Sequence, residues 1–287
     1  MRLVQYIKML VLCLLLLPLT TQANTGVAFV HGTGHQVDAL NEYWTWPMVN
    51  SIVQGLPNQG NYLVVNCDFE QFAWHEDASG CLATQLNDFI DTNTITDLVV
   101  ITHSNGGNVI RWILSNPTWD GRYPPIIENL RWVIALAPSS LGTPLADAVM
   151  DGNIFEEVLG WLLGYANNAV KMQQVAHMAY LNEHWLLGTS GRPGLPKAFN
   201  NVVGSDVDSA IWDPDSYCAG YLESVALEVT QEWLTSCSDG FLDCDSQSGV
   251  VGRTFTDFNF TEGSEPLNHN QSRRDCFGLD ERIRDVL

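Results

Sequence analysis

The stretch with the clearest chemical signature runs from Asp97 to Leu114. An apolar, β-branched run is followed by Thr-His-Ser-Asn-Gly-Gly and then by apolar residues at helical spacing. This pattern predicts a strand, a sharp turn and a helix. Such a turn exposes the hydroxyl of Ser104 at the carboxyl edge of a parallel sheet, above the amides of the helix. Ser104 is therefore the candidate nucleophile.

This turn departs from the usual G-x-S-x-G pattern at one position. Thr102 occupies the place of the first glycine, where the tight turn brings neighbouring backbone close. A β-branched residue is acceptable there if the adjoining elements leave room. The alternative interpretation is an ordinary strand-to-helix turn with a serine N-cap.

A nucleophilic serine needs a base, an acid that orients the base, and amides for the developing oxyanion. Upstream, residues 26–35 predict a buried strand that ends in His31-Gly32. That ending would place the backbone amide of Thr33 opposite the nucleophile, where it would bind the oxyanion together with the amide of Asn105. We interpret His31 as a residue that braces this loop rather than as the base.

Four short motifs follow one another along the chain: His31-Gly32, Glu42-Tyr43-Trp44, Thr102-His-Ser-Asn-Gly-Gly107 and Leu136-Ala-Pro-Ser-Ser-Leu-Gly-Thr-Pro144. In this order they resemble the secreted bacterial lipases of the α/β-hydrolase superfamily. The match spans nearly all of residues 24–287, and the elbow and the His-Gly strand are its specific parts. The resemblance implies the α/β-hydrolase fold, a mostly parallel sheet with helices on both faces. It also implies a serine esterase mechanism and a helical lid over the site.

The base should lie late in the chain, because the triad order in such proteins is nucleophile, acid, histidine. The seven histidines are His31, His35, His75, His103, His177, His184 and His269. His269 is the one well placed for the base. It lies in the polar loop 266–272, after the last predicted strand and before a charged terminal helix. The alternative is a solvated loop histidine.

Seven aspartates lie between the nucleophile and His269 in the interval allowed for the acid: Asp206, Asp208, Asp213, Asp215, Asp239, Asp243 and Asp245. We choose Asp239, because Ser-Asp-Gly-Phe-Leu resembles the Asn-Asp-Gly-Leu-Val turn that holds the acid in that lipase family. Asp-Gly is also a favourable tight-turn dipeptide. Asp206, which follows a predicted strand, is the rival. Most of the seven should be solvated surface charges.

The first 23 residues predict a secretory signal. Arg2 and Lys8 flank an apolar core from Met9 to Leu17, and Thr21-Gln-Ala23 offers a small-residue cleavage site. This core is too short to span a bilayer. We therefore expect a secreted or periplasmic protein with one α/β domain over residues 24–287.

The chain is strongly acidic, with 13 Lys+Arg against 33 Asp+Glu and a formal charge of −20. Loss of the signal would remove two basic residues and change this charge to −22. Such a surface repels nucleic acid and anionic membranes. We therefore expect no nucleic-acid partner and no stable membrane insertion. The acyl-ester or lipid substrate is expected from the resemblance to lipases.

Cysteine usage agrees with export. Without Cys13, an even number remains: Cys67, Cys81, Cys218, Cys237, Cys244 and Cys276. Disulfides are the favoured interpretation, with Cys67–Cys81 as a local pair. A bridge from Cys237 or Cys244 would stiffen the loop of Asp239. The chain contains neither Cys-x-x-Cys nor His-Glu-x-x-His, which argues against zinc. The resembling lipases hold a structural calcium ion, and Asp243 and Asp245 are available here, but acidic clusters are common in this chain; we predict no metal and no other cofactor.

Hydrophobic periodicity predicts alternating strands and helices, and therefore a parallel sheet covered on both faces. The strands fall near 26–31, 61–67, 97–103, 131–137, 199–204 and 250–256, and the helices near 38–54, 80–92, 105–115, 222–236 and 271–285. The pattern changes between 146 and 187, where 154–165 is unusually apolar. We interpret this insertion as a lid over an acyl pocket, with a core helix as the alternative.

Together these features predict a secreted carboxylic ester hydrolase, a lipase or esterase. Ser104 would attack the ester with His269 as base and Asp239 as its orienting acid, through an acyl-enzyme. One alternative is an acyltransferase or polyester depolymerase with the same triad. Another is a non-catalytic binding protein of the same fold.

Overall fold

The computed structural model describes residues 23–152, 166–251 and 266–287. Parts of three predicted segments lie outside these ranges: residues 1–22 of the signal, residues 153–165 of the predicted lid, and residues 252–256 of the last predicted strand.

Five strands form one sheet: β1 (Thr25–Val30), β2 (Tyr62–Val64), β3 (Asp97–His103), β4 (Leu130–Leu136) and β5 (Ala198–Val202). The helices in the described ranges are α1 (Ala39–Glu42), α2 (Trp46–Val53), α3 (Cys81–Asn93), α4 (Gly106–Ser115), α5 (Tyr123–Asn129), α6 (Pro144–Met150), α7 (Asn168–Met172), α8 (Val175–His184), α9 (Tyr221–Gln231), α10 (Cys244–Gln247) and α11 (Leu279–Arg284). A π-helical turn (Glu76–Gly80) leads into α3.

All strand pairs are parallel, in the order β2-β1-β3-β4-β5. The carboxyl ends of β1, β3 and β4 meet at one edge, because Val30 pairs with Thr102 and His103 pairs with Leu136. In an open parallel sheet, ligands bind outside this edge. The fold therefore brings the loops that follow these three strands together.

Helices cover both faces of the sheet. Residues of β3 alternate between two hydrophobic cores: Val100 packs in a core that contains α3 and α4, and Val99 and Ile101 pack in a core that contains α2 and α11. Burial on both faces explains why the central strands are continuous apolar runs. The predicted doubly covered parallel sheet is confirmed.

The predicted single helix over 38–54 is wrong, because the structure has two helices there, α1 and α2. The break has two causes in the sequence. The Thr45 hydroxyl accepts a hydrogen bond from the amide of Met48 and caps α2. Pro47, in the first turn of α2, has no amide N–H and its ring would clash with the preceding turn if one helix continued through it. The chain between the helices carries Tyr43 to the carboxyl edge of the sheet.

The predicted helix over 271–285 is also shorter than expected. A 3₁₀ turn (Gln271–Arg273) comes first, and α11 begins at Leu279. Phe277 and Gly278 have positive φ angles of 54° and 75°, which interrupt a right-handed helix. The strand predicted from residue 250 is not formed in the described part, where Val250 makes an isolated bridge with Thr189.

Three disulfides cross-link the described residues: Cys67–Cys81, Cys218–Cys276 and Cys237–Cys244. The predicted local pair Cys67–Cys81 is confirmed, with a Cα–Cα distance of 5.9 Å. Stable disulfides are typical of oxidising compartments and indicate an extracellular protein.

Among the described helices, none is both long and apolar enough to cross a bilayer.

Candidate active site

Ser104 lies at a strained turn between β3 and α4. Its φ angle is +52°, in the left-handed region that a residue with a side chain rarely adopts. The Ser104 amide donates to the Leu136 carbonyl at 3.0 Å, and its own carbonyl accepts from the Gly107 amide at 3.0 Å. These two bonds hold a conformation that costs on the order of 1 kcal/mol or more, and strain of this kind clusters at functional sites.

The loop after β1 packs directly against this turn. A Cβ added to Gly32 would lie 2.9 Å from the Cβ of Ser104, and one added to Gly106 would overlap the carbonyl oxygen of His31. Both positions therefore require glycine for close backbone approach. The His-Gly motif thus lies beside Ser104, as the sequence predicts.

Thr102, at the position where a glycine was expected, has room for its side chain beside Gly107, because even an added Cβ there would lie at an ordinary contact distance. A Cβ on Gly107 would lie 3.5 Å from the Thr102 hydroxyl. Thr102 is fully buried, and its hydroxyl has no hydrogen-bond partner among the described residues. The departure from the usual pattern is therefore accommodated, at the cost of one unpaired polar group.

Both predicted oxyanion residues lie close to Ser104: Asn105 follows it in the chain and Thr33 lines the same cavity. Asn105 is the N-cap residue of α4, where the first amides have no partner within the helix. Thr33 follows the His-Gly loop and lines the same cavity as Ser104. Its hydroxyl accepts a hydrogen bond from Nε2 of Gln173 at 3.0 Å, which ties the loop to α7.

His269 and Asp239 form a buried pair. Nδ1–H of His269 donates to Oδ2 of Asp239 at 2.7 Å. The other carboxylate oxygen accepts from the amides of Phe241 and Leu242 at 2.9 and 2.7 Å. The His269 amide also donates to the Asp239 carbonyl at 2.9 Å. Asp239 is fully buried, so these bonds fix its carboxylate and the imidazole together.

The rival acid Asp206 lies elsewhere. It is exposed, and its Oδ1 accepts from the amide of Val207 and from Nε2 of Gln231. The turn of Asp239 is instead closed by the Cys237–Cys244 disulfide. The structure therefore brings Asp239, and not Asp206, to His269.

Ser104 and His269 line one cavity of about 50 Å³. Its other lining residues are Thr33, Tyr43, His103, Phe241, Asn270 and Arg273. A larger cavity of about 380 Å³ lies elsewhere and is lined mainly by Phe72, Trp74, Trp112, Trp119, Tyr180 and Trp185. Ser104 and His269 do not line this apolar cavity.

Comparisons with known proteins agree with this architecture. The mature form of the Bacillus licheniformis lipase BlEst2 superposes with a TM-score of 0.62 at 16% identity, covering 88% of this chain and 87% of that one. Its propeptide form gives 0.59 at 15% identity, covering 87% of this chain and 47% of that one. The chain has the α/β-hydrolase fold. No protein-family model and no curated protein matches its sequence.

The sequence analysis did not reveal the role of His103. Its Nε2–H donates to the His269 carbonyl at 2.9 Å, and its Nδ1 accepts from the Tyr43 hydroxyl at 2.5 Å. Burial lowers the pKa of His103 well below its usual value, so the ring is neutral and carries its proton on Nε2. His103 therefore links Tyr43 to the loop of His269. Its position directly before Ser104 was the available signal.

Arg273 was also missed. Its side chain donates to the Tyr43 carbonyl and to Oδ1 of Asn270, and its guanidinium lies 4.3 Å from the centroid of the Tyr43 ring. Burial lowers the pKa of Arg273. The signal in the sequence was the pair Arg273-Arg274 shortly after His269.

His31 braces the loop after β1, as expected. Its ring stacks on Phe69 with 4.2 Å between centroids. Nδ1–H donates to the Gly32 carbonyl at 2.8 Å, and Nε2 accepts from the Cys67 amide at 3.4 Å. Burial lowers the pKa of His31 to about 4. The neutral ring is therefore the form that the fold stabilises.

This depressed pKa predicts a loss of stability in mild acid. The unfolded chain binds a proton at His31 below about pH 6.5, whereas the folded chain does so only near pH 4. The free energy of unfolding should fall through this interval, by about 2 kcal/mol at pH 5 for this residue. Urea unfolding at pH 7.5 and 5 measures the decrease. His31→Gln cannot titrate and should show a smaller decrease; an equal one would contradict the assignment.

The described residues contain no group of three or more His, Cys, Asp and Glu side chains that could hold a metal ion.

Proposed function

We propose that this chain is a serine carboxylic ester hydrolase. One observation carries the proposal: Ser104 has a positive φ angle and shares a cavity with His269, whose Nδ1 donates to the buried carboxylate of Asp239. A strained serine beside an acid-oriented imidazole is the arrangement that nucleophilic catalysis requires. The structural neighbour BlEst2 is a lipase, which supports the same reaction class.

In the proposed acylation step, Ser104 attacks the ester carbonyl. The hydrogen bond to Asp239 holds the proton of His269 on Nδ1 and leaves Nε2 to accept the hydroxyl proton. The carbonyl oxygen gains negative charge, which the amides of Thr33 and Asn105 would stabilise. His269 then gives its proton to the departing alcohol.

Deacylation repeats these roles with water. His269 takes a proton from water, which attacks the acyl-enzyme, and the carboxylic acid is released as Ser104 recovers its proton. Asp239 keeps its charge throughout and stabilises the imidazolium that forms at each step. The bonds to the Phe241 and Leu242 amides hold that carboxylate in place without reorganisation.

We further propose that the protein is secreted, with residues 1–23 as its signal and residues 24–287 as one domain that includes a lid over 146–187. The three disulfides support export. The acyl-ester or lipid substrate follows from the reaction class. Within the insertion, Gln173 directly follows α7 and donates a hydrogen bond to the Thr33 hydroxyl, which joins the insertion to the loop after β1.

A substrate profile tests this function. Purified mature protein is assayed against p-nitrophenyl esters of increasing acyl length and against an emulsified triglyceride. We expect hydrolysis of at least one ester series, and activity on the emulsion if the protein is a lipase. A folded, disulfide-bonded protein that hydrolyses none of these esters would contradict the proposal.

The role of Asp239 as the acid that orients His269 can be tested by comparing two aspartate variants. Asp239→Asn should lower kcat by on the order of 10⁴, because the imidazole would then adopt the wrong tautomer. Asp206→Asn is the matched control and should change kcat little, since Asp206 is exposed and its hydrogen bonds are to Val207 and Gln231 rather than to His269. Both variants are assayed with one ester and checked by circular dichroism. A deep loss in the Asp206 variant beside a near-normal Asp239 variant would reverse the assignment.

A further inference from the structure

The catalytic cavity contains a positive charge that no described carboxylate neutralises by a direct ion pair. Arg273 lines this cavity together with Ser104 and His269. In the described ranges, none of the ion pairs within 4.0 Å involves Arg273 or its neighbour Arg274. The groups that Arg273 does contact are neutral: the Tyr43 carbonyl, the Tyr43 ring and the side chain of Asn270.

The acidic side chains near Arg273 act on it only from a greater distance. Glu223 raises its pKa through a long-range attraction, but burial lowers that pKa more. The Glu223 carboxylate folds back over Gly220, since a Cβ on that glycine would overlap it. Asp275, which attracts Arg274, is exposed. The guanidinium of Arg273 is therefore held in place by neutral partners while its charge stays unpaired among the described groups.

Such an arrangement is unfavourable unless something compensates it. The Arg273 side chain is half-buried, and partial removal of a charge from water without pairing it costs free energy. The chain has 33 acidic residues, and none of those described forms an ion pair with this group. Because the unpaired Arg273 charge is unfavourable and lies in the catalytic cavity, we expect a negatively charged group of the ligand to pair with it.

The hydrogen bonds of Arg273 leave donors for that ligand. A guanidinium has five N–H groups. Nε and Nη2 each donate to Oδ1 of Asn270, and Nη1 donates to the Tyr43 carbonyl. Two N–H groups, one on each terminal nitrogen, have no acceptor among the described residues. A planar fork with free N–H groups suits a carboxylate or a phosphate.

We propose that Arg273 recognises a negatively charged group on the ester substrate, a carboxylate or a phosphate close to the scissile carbonyl. This inference rests on the proposed function and names its substrate class. Asn270 and Tyr43 hold the guanidinium at the cavity wall, so binding of the anion requires little reorganisation. The acidic surface elsewhere on the protein would repel the same substrate. The anionic group would therefore bind preferentially at Arg273 in the cavity.

Paired substrates test the proposal. For a carboxylate on the acyl side, mono-p-nitrophenyl glutarate is compared with p-nitrophenyl butyrate. For a phosphate on the alcohol side, 1-butyrylglycerol 3-phosphate is compared with 1-butyrylglycerol. We expect the wild-type protein to favour the charged member of one pair in kcat/KM, and that pair identifies the source of the anion.

Variants separate recognition from support of the loop. Arg273→Gln should lower the charged-to-neutral ratio of kcat/KM by about 10- to 100-fold, the effect of losing a hydrogen-bonded charge pair. Arg273→Lys should restore part of the ratio. Arg274→Gln is the matched control: Arg274 also donates to the Tyr43 carbonyl but does not line the cavity, so the ratio should be unchanged.

Three results would overturn the proposal. The first is a wild-type protein with no preference for either charged ester, even though it hydrolyses the neutral ones. In that case the ester hydrolase function would stand without this substrate class. The second is an equal loss on charged and neutral esters in Arg273→Gln, which would make Arg273 a support for Tyr43 and Asn270. If that variant does not fold, Arg273→Lys takes its place, because lysine lacks the planar fork. A charged-to-neutral ratio in Arg273→Lys equal to that of the wild type is the third result.

Discussion

Ser104→Ala is expected to abolish ester hydrolysis, with kcat lower by on the order of 10⁶. The hydroxyl is the atom that forms the acyl-enzyme, and no other described serine lines the cavity with His269. The fold should persist, because alanine and serine pay a similar cost for the φ angle of +52°. Turnover of a p-nitrophenyl ester and the Tm measure the two effects.

A buried serine at the same edge of the sheet is the control. Ser139 follows β4, and its hydroxyl accepts a hydrogen bond from the Asn108 side chain rather than lining the catalytic cavity. Ser139→Ala should therefore retain most of the activity. Ester hydrolysis that survives in Ser104→Ala, after traces of wild-type protein are excluded, would move the nucleophile elsewhere.

His269→Ala should lower kcat almost as much as loss of the serine, by several orders of magnitude. The imidazole accepts the Ser104 proton in acylation and the water proton in deacylation, so both steps lose their base. The effects should not add: Ser104→Ala and the double variant should have the same residual activity, because the residues act as a unit. Single-turnover assays of the three variants measure this.

An exposed histidine gives the comparison for this variant. His177 is exposed on α8, and its Nδ1 contacts the Lys171 carbonyl. His177→Ala should leave kcat near that of the wild type. A loss of only a few fold in His269→Ala, similar to that of His177→Ala, would show that another group is the base.

The features predicted well from the sequence are local ones. The strand, turn and helix around Ser104 follow from an apolar run, a serine between small or polar residues and a return to helical spacing, all within about 18 residues. The parallel sheet follows from the alternation of such segments. The break before α2 was also visible in the sequence, since Thr45 and Pro47 are signals of a helix start that the apolar periodicity concealed.

Contacts between distant segments could not be predicted in the same way. The acid was ambiguous because each candidate is an aspartate in a loop, and burial and pairing with His269 appear only when β5, α9 and the terminal loop pack together. His103 is one of seven histidines, and its bond to the His269 carbonyl spans 166 positions. Arg273 becomes notable only through the lack of a described counter-ion beside Ser104.

The most direct measurement of the central claim is covalent labelling with a fluorophosphonate, followed by peptide mapping. The reagent reacts with an activated serine and reports the nucleophile without any assumption about the natural substrate. We expect one adduct per molecule, located on Ser104, that disappears in Ser104→Ala and forms far more slowly in His269→Ala. Stoichiometric labelling of a different serine, or labelling of Ser104 at an unchanged rate in His269→Ala, would contradict the account.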